Sequence, residues 1–256
     1  MSTVLPVFAF LVGAVLGSFM NVLIFRLPRG ISIVKPRSFC PKCKKPIPWY
    51  ENIPIVSFIL LRGRCARCRQ PISWQYPAVE ALTGIVFLFL YFRYQPGRDF
   101  LFYMFFFCGL IVLTGIDFSH QVIPDVITFP GIILGLLNQL LHHTLLVGLI
   151  GAVFGGGLIL LIRVLGGRVY KKEVMGMGDV YLTAMIGSYV GFPNVIFAIF
   201  VAALTGAILG IVYLAVSRKH RETPIPFGPF LSLGGMAVIV LKIQLFYIIE
   251  RLTLRF

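Results

Sequence analysis

Acidic side chains are scarce in this chain, with nine Asp and Glu in 256 residues against 23 Lys and Arg. Charge of either sign is short as well, at 12% of residues, where a soluble domain carries about a quarter. With 58% hydrophobic residues and a mean hydropathy of +0.93, that shortage excludes an ordinary soluble domain and implies an integral membrane protein. Strict apolar/polar alternation is also lacking. The apolar runs are continuous and of spanning length, which excludes a closed outer-membrane barrel and leaves helices. No Lys or Arg precedes the first apolar run, whereas Arg26 and Arg29 follow it. That run reads as a retained span with its N-terminus outside rather than as a cleaved signal peptide. No aromatic-interleaved basic module occurs, so nucleic acid is not an expected partner. The +14 net charge reads as topology plus contact with anionic membrane lipid.

What is present predicts an all-α polytopic fold of about eight transmembrane helices, near 4–25, 77–93, 100–116, 124–141, 145–165, 179–192, 194–216 and 228–249. The 179–192 segment is short for a crossing, and Gly, Pro and Asn at 191–194 allow a tight turn into the next helix. Eleven of the Lys and Arg residues lie between 26 and 76, and the 163–175 and 217–223 links hold seven more. With eight spans all three segments share one side, cytoplasmic by the positive-inside rule, and both termini lie outside.

Cysteine is sparse but patterned. Cys40-Pro-Lys-Cys43 and Cys65-Ala-Arg-Cys68 are separated by 21 residues in the one polar insert. This approaches the spacing of a four-thiolate zinc site, closed and structural. So short a loop buries little core, and a metal staple compensates. A cytoplasmic loop disfavours disulfides. Cys108, alone in an apolar run, reads as core packing.

With so few acids, position is informative. Glu51, Glu173 and Glu222 lie among basic residues, and Asp99 and Glu250 are where solvation explains them. Asp179 follows Gly176-Met177-Gly178 at the mouth of an apolar run, where an ionisable residue is expensive and marks a functional site. Gly176 and Gly178 are expected to admit another backbone closely. Asp117 closes the third span and Asp125 follows Pro124 at the start of the fourth. An acid after Pro suits a helix N-terminus, which accounts for Asp125 structurally. Asp117 lies at a helix C-terminal end, where the dipole disfavours it, so Asp117 is the favoured partner of Asp179. Two such carboxylates share a proton. One then acts as base on a water while the other polarises a carbonyl, the chemistry of aspartyl hydrolysis. An ion- or proton-coupled transporter is the competing reading. Three prolines from Pro224 through Pro226 to Pro229, with Gly228 among them, exclude regular helix there, and the segment reads as a lining beside the aspartates or as a plain loop.

Several segments together resemble the bacterial type IV prepilin leader peptidases, of the Gly-x-Gly-Asp class of intramembrane aspartyl peptidases. They are Leu16 to Val22 (LGSFMNV), the two Cys-x-x-Cys pairs, Ile72 to Glu80 (ISWQYPAVE), Ile116-Asp117, His120 through Pro124-Asp125, Gly176 to Asp179, and Thr223 to Pro229 (TPIPFGP). They occur in the family's order across almost the whole chain. Gln75 departs from the family's usual Arg or Lys before Tyr-Pro. The resemblance implies an inner-membrane enzyme that cuts the basic leader from type IV prepilins or type II secretion pseudopilins at the cytoplasmic face. It also implies methylation of the new α-amino group from S-adenosylmethionine, although no Gly-rich nucleotide turn is present. Asp117 and Asp179 take the family's catalytic positions, and Cys40, Cys43, Cys65 and Cys68 its cysteines. Glu80 is a candidate for holding the amine or the cofactor. Residues 1–98 are expected to serve methyl transfer and 99–256 to form the peptidase core. A peptidase lacking methylation is the nearer alternative.

Overall fold

The computed structural model describes residues 4–171, 173–216 and 225–241. Pro224 and the expected end of the last span, 242–249, lie outside the described residues. The architecture is helical: α1 (Val4–Arg26), the short α2 (Val56–Leu60), α3 (Gln75–Tyr94), α4 (Arg98–His120), α5 (Asp125–Leu141), α6 (Leu145–Tyr170), α7 (Met177–Val190), α8 (Asn194–Val216) and α9 (Gly228–Val240). Continuous apolar sequence takes this form because a backbone in hydrocarbon must satisfy its polar groups within its own segment. A helix occupies each of the eight apolar stretches. Among the described residues, α1, α3, α4, α6 and α8 are long and apolar enough to cross a membrane, and α5 and α9 are shorter apolar helices. The 14 residues of α7 reach about 21 Å, less than a hydrocarbon core of about 30 Å. Eight full crossings are therefore not established.

The chain divides into two compact units, Met1–Val112 and Leu113–Phe256, so the division falls inside α4. In the first unit α1 runs against α3. A Cβ on Gly17 would lie 2.7 Å from Glu80 Cα, so this small residue sets the close approach of the two backbones. The Asn21 side-chain amide crosses to the Tyr76 carbonyl at 3.1 Å. Buried Arg26 donates to the carbonyls of Ser32 and Pro36, each at 2.8 Å, folding the start of the polar insert back onto α1.

The insert contains two copies of one knuckle. Antiparallel bridges pair Phe39 with Pro46 and Arg64 with Pro71. The Ile47 N–H donates to the Ser38 carbonyl at 2.8 Å and the Ile72 N–H to Gly63 at 2.7 Å. Lys44 (φ 60) and Arg69 (φ 59), each just after the second cysteine of its pair, are both left-handed. Every equivalent pair is offset by 25 residues, and Trp49 and Trp74 obey the same offset.

In the second unit α7 is the central helix and is buried along most of its length. Gly187 meets the Gly151 backbone of α6, and Gly235 of α9 packs on Ile186. Small residues replace the apolar seam of a soluble bundle because lipid removes the hydrophobic drive between helices. At the far end of α7 the expected tight turn is present, with Gly191 at φ 71 and α8 starting at Asn194.

Candidate functional site

Asp117 lies one turn before the end of α4, and Asp179 lies in the first turn of α7. Both are buried, with 5% and 9% of their surface exposed. Each has one carboxylate oxygen fixed by a backbone donor. The Gly228 N–H, at the start of α9, donates to Asp117 Oδ2 at 3.0 Å. The Gly176 N–H, at the start of α7, donates to Asp179 Oδ2 at 3.2 Å. Ile123 links the surroundings of the two carboxylates, since it approaches both Gly178, next to Asp179, and Gly228, whose N–H holds Asp117 Oδ2. Asp179 Oδ1 is buried with no hydrogen-bond partner among the described residues. A buried acceptor without a partner costs about 1–3 kcal/mol, and a water or a substrate N–H would satisfy it.

The glycines divide in role. A Cβ on Gly228 would lie 2.6 Å from Asp117 Oδ2, so the side chain of Asp117 occupies the space that a larger residue would take. A Cβ on Gly178 would lie 2.6 Å from Ile123 Cβ. The expectation that both motif glycines make room for an incoming backbone is corrected at Gly178, whose space is taken by the chain's own α4–α5 link. Gly176 is exposed, and the nearest atom to its Cβ position is Asp179 Oδ2 at 3.6 Å.

Asp125 is exposed in the first turn of α5, behind Pro124. Pro226 is half-buried just ahead of α9. The exclusion of helix through Pro229 is also corrected, since Gly228 and Pro229 form the first turn of α9. Proline is tolerated there because its absent N–H would have had no helical acceptor. Two residues of the 120–125 segment, to which no role is assigned from the sequence, lie near the aspartates' supports. Buried Ile123 packs on both Gly178 and Gly228. His120, three residues past Asp117 and so on the same helix face, has a buried Nδ1 with no hydrogen-bond partner among the described residues.

In the first unit the sulfurs of Cys40, Cys43, Cys65 and Cys68 all lie within 4.8 Å of one another, and those of Cys40 and Cys68 are 3.9 Å apart. Sulfurs at about 2.3 Å from a tetrahedral ion stand about 3.8 Å apart, so the cluster is already close to metal-ligand geometry. The N–H groups of Cys68 and Arg67 bring the Cys65 thiol down to about 7, favouring a thiolate there. At Cys68, by contrast, the Gln70 backbone hydrogen bond is outweighed by burial and the neighbouring cysteines, which push the thiol up to about 11. Glu80 is engaged elsewhere. Its Oε2 accepts the Ile55 N–H at 2.7 Å, and the Ser18 hydroxyl also bonds to it.

Two family models match the chain, the bacterial peptidase A24 N-terminal domain over residues 11–94 and the type IV leader peptidase family over 104–211. A type 4 prepilin-like proteins leader peptide-processing enzyme of Escherichia coli is 37% identical, over 93% of this chain and 94% of its own. Prepilin leader peptidase/N-methyltransferases of Pseudomonas aeruginosa and Xanthomonas campestris are 35% and 33% identical, covering 90% and 88% of this chain and 88% of each relative. No solved structure matches.

Proposed function

Because the chain belongs to the type IV leader peptidase family, we propose that it removes the leader peptide of type IV prepilins or type II secretion pseudopilins. It then methylates the new α-amino group, with S-adenosylmethionine as donor. The observation that carries the peptidase reading is the pair of buried carboxylates, each with one oxygen held by a helix-start N–H.

Asp117 and Asp179 are the catalytic residues. One carboxylate, as general base, takes a proton from a water while the water oxygen attacks the scissile carbonyl carbon. The other, protonated, donates to the carbonyl oxygen. The tetrahedral adduct collapses by breaking the C–N bond, with a proton passing to the leaving amine. The Gly176 and Gly228 N–H groups fix the carboxylates in position, so little reorganisation is needed during reaction. Gly178 seats Ile123 behind them, and Pro226 to Gly228 lines the site. A helical substrate must unwind locally to expose its bond, and exposed Gly176 leaves space on that side. Asp125 acts at the helix start of α5 rather than in the chemistry.

Cys40, Cys43, Cys65 and Cys68 would hold zinc as a closed structural site that organises the insert. Residues 1–98 serve methyl transfer and 99–256 form the peptidase core. Glu80 contributes by holding the insert against α3, since its carboxylate is engaged by Ile55 and Ser18. The enzyme lies in the bacterial inner membrane with the N-terminus outside and the insert and aspartates at the cytoplasmic face. No observation favours a transporter.

The test is mass spectrometry of a prepilin incubated with membranes containing the enzyme and S-adenosylmethionine. The expected product is a shortened pilin whose new N-terminus is one methyl group heavier. A shortened, unmethylated product would leave a peptidase alone, and an intact prepilin would overturn the reading.

A further inference from the structure

The short helix α2 is inside-out for an element in water. Its one buried residue is polar: Ser57 Oγ accepts the Ile53 N–H at 2.9 Å and donates to the Tyr50 carbonyl at 3.1 Å. Its apolar side chains face outward, with Val56 47%, Ile59 66% and Leu60 76% exposed. Trp74 extends this face. It is 76% exposed, and its ring centroid lies 4.8 Å from that of Phe58 in α2. An outward apolar face of this kind on a water-soluble loop would be an association hazard.

The height of α2 is fixed by Glu80. The Ile55 N–H that caps α2 bonds to Glu80 Oε2 at 2.7 Å. Glu80 is five residues into α3, a candidate membrane span that begins at Gln75, which is about 7.5 Å along its axis. Ile55 is held at φ 63, a conformation rare for a β-branched residue and maintained only where its surroundings enforce it. The start of α2 is therefore held level with the second turn of a spanning helix rather than in bulk water. Charge is complementary to the same location. Exposed Arg62 and Arg64 follow α2 directly, and residues 26–76 hold a single acid, Glu51, against eleven cations.

We propose that α2 and Trp74 form a lipid-binding element in the cytoplasmic leaflet. Val56, Ile59, Leu60 and Trp74 lie at the boundary of headgroups and acyl chains, and Arg62 and Arg64 meet anionic phospholipid phosphates. The choice of leaflet rests on the cytoplasmic placement of the insert proposed above. The contact with lipid rests on α2 and α3 alone. The zinc knuckle is thereby seated on the membrane surface.

The chain has two tryptophans, so Trp49→Phe leaves Trp74 as the sole reporter. The full-length variant is reconstituted in phosphatidylcholine vesicles with and without phosphatidylglycerol, and its fluorescence is quenched by aqueous iodide or by lipids brominated near the headgroup. Iodide quenching is expected to be roughly threefold weaker than for free tryptophan amide, with strong quenching by the brominated lipid. Adding Leu60→Asp reverses the two, with zinc content measured to show that the insert is still folded. Arg62→Glu with Arg64→Glu keeps the lipid contact but removes its increase with phosphatidylglycerol. Full iodide access with no lipid quenching overturns the proposal. So does shielding from both quenchers seen only in native membranes, which would identify a protein partner. Sidedness is read separately by trypsin. Cleavage of the insert in right-side-out vesicles alone would overturn the leaflet assignment while leaving the lipid contact intact.

Discussion

Gly228 and Asp117 are 111 residues apart in sequence and joined by one hydrogen bond of 3.0 Å, with no space between them for a methyl group. Gly228→Ala should displace the Asp117 carboxylate, and a misplacement of about 1 Å at a reacting group costs roughly a hundredfold. A fall of that size in kcat/KM for prepilin cleavage is expected. Gly157→Ala, where a Cβ meets nothing within 4 Å, should leave it unchanged. Gly178→Ala acts one contact further out, through Ile123. Its loss should be partly reversed by adding Ile123→Ala, because the two positions compete for the same space. Equal, additive losses in the double variant would refute that coupling.

At the scale of elements, the cysteine spacing was legible as a metal site because ligand geometry dictates spacing. The duplication of the knuckle is also written in the sequence, where Cys40, Cys43, Pro46, Ile47 and Trp49 recur 25 residues later as Cys65, Cys68, Pro71, Ile72 and Trp74. The backbone bridges and left-handed Lys44 and Arg69 show that both copies fold alike. Zinc content should fall from one ion per chain to none in Cys40→Ser with Cys65→Ser, and an unchanged content would refute the site. Continuous apolar runs revealed the helices because lipid leaves a backbone few alternatives. Their ends were less legible. α4 continues to His120 rather than ending near 116, and α9 includes Pro229 in its first turn. Of the candidate site, Asp117 and Asp179 stood out because an acid at the mouth of an apolar run is costly. Ile123 and the latch from Ile55 to Glu80 did not, since an isoleucine next to proline reads as an ordinary loop residue until the tertiary contact is seen.

For the whole molecule, the scarcity of acid and the concentration of Lys and Arg in three segments led to a sidedness that single-cysteine labelling can check. A cysteine at Gly97, in the exposed link between α3 and α4, should react with an impermeant maleimide applied to intact spheroplasts. One at exposed Val34 in the insert should react only after the membrane is opened. The reverse pattern would invert the topology. The second unit contains both aspartates and the two glycines, Gly176 and Gly228, whose N–H groups hold them.

The most direct measurement is prepilin cleavage by membranes carrying Asp117→Asn, Asp179→Asn or Asp125→Asn, with each variant's membrane level checked. A shared-proton dyad predicts a loss of at least about a thousandfold for the first two, of the order expected when a paired acid and base stop acting as a unit. Near wild-type cleavage is predicted for Asp125→Asn. Substantial cleavage surviving either of the first two changes, or loss with Asp125→Asn alone, would contradict the assignment of Asp117 and Asp179 as the catalytic pair.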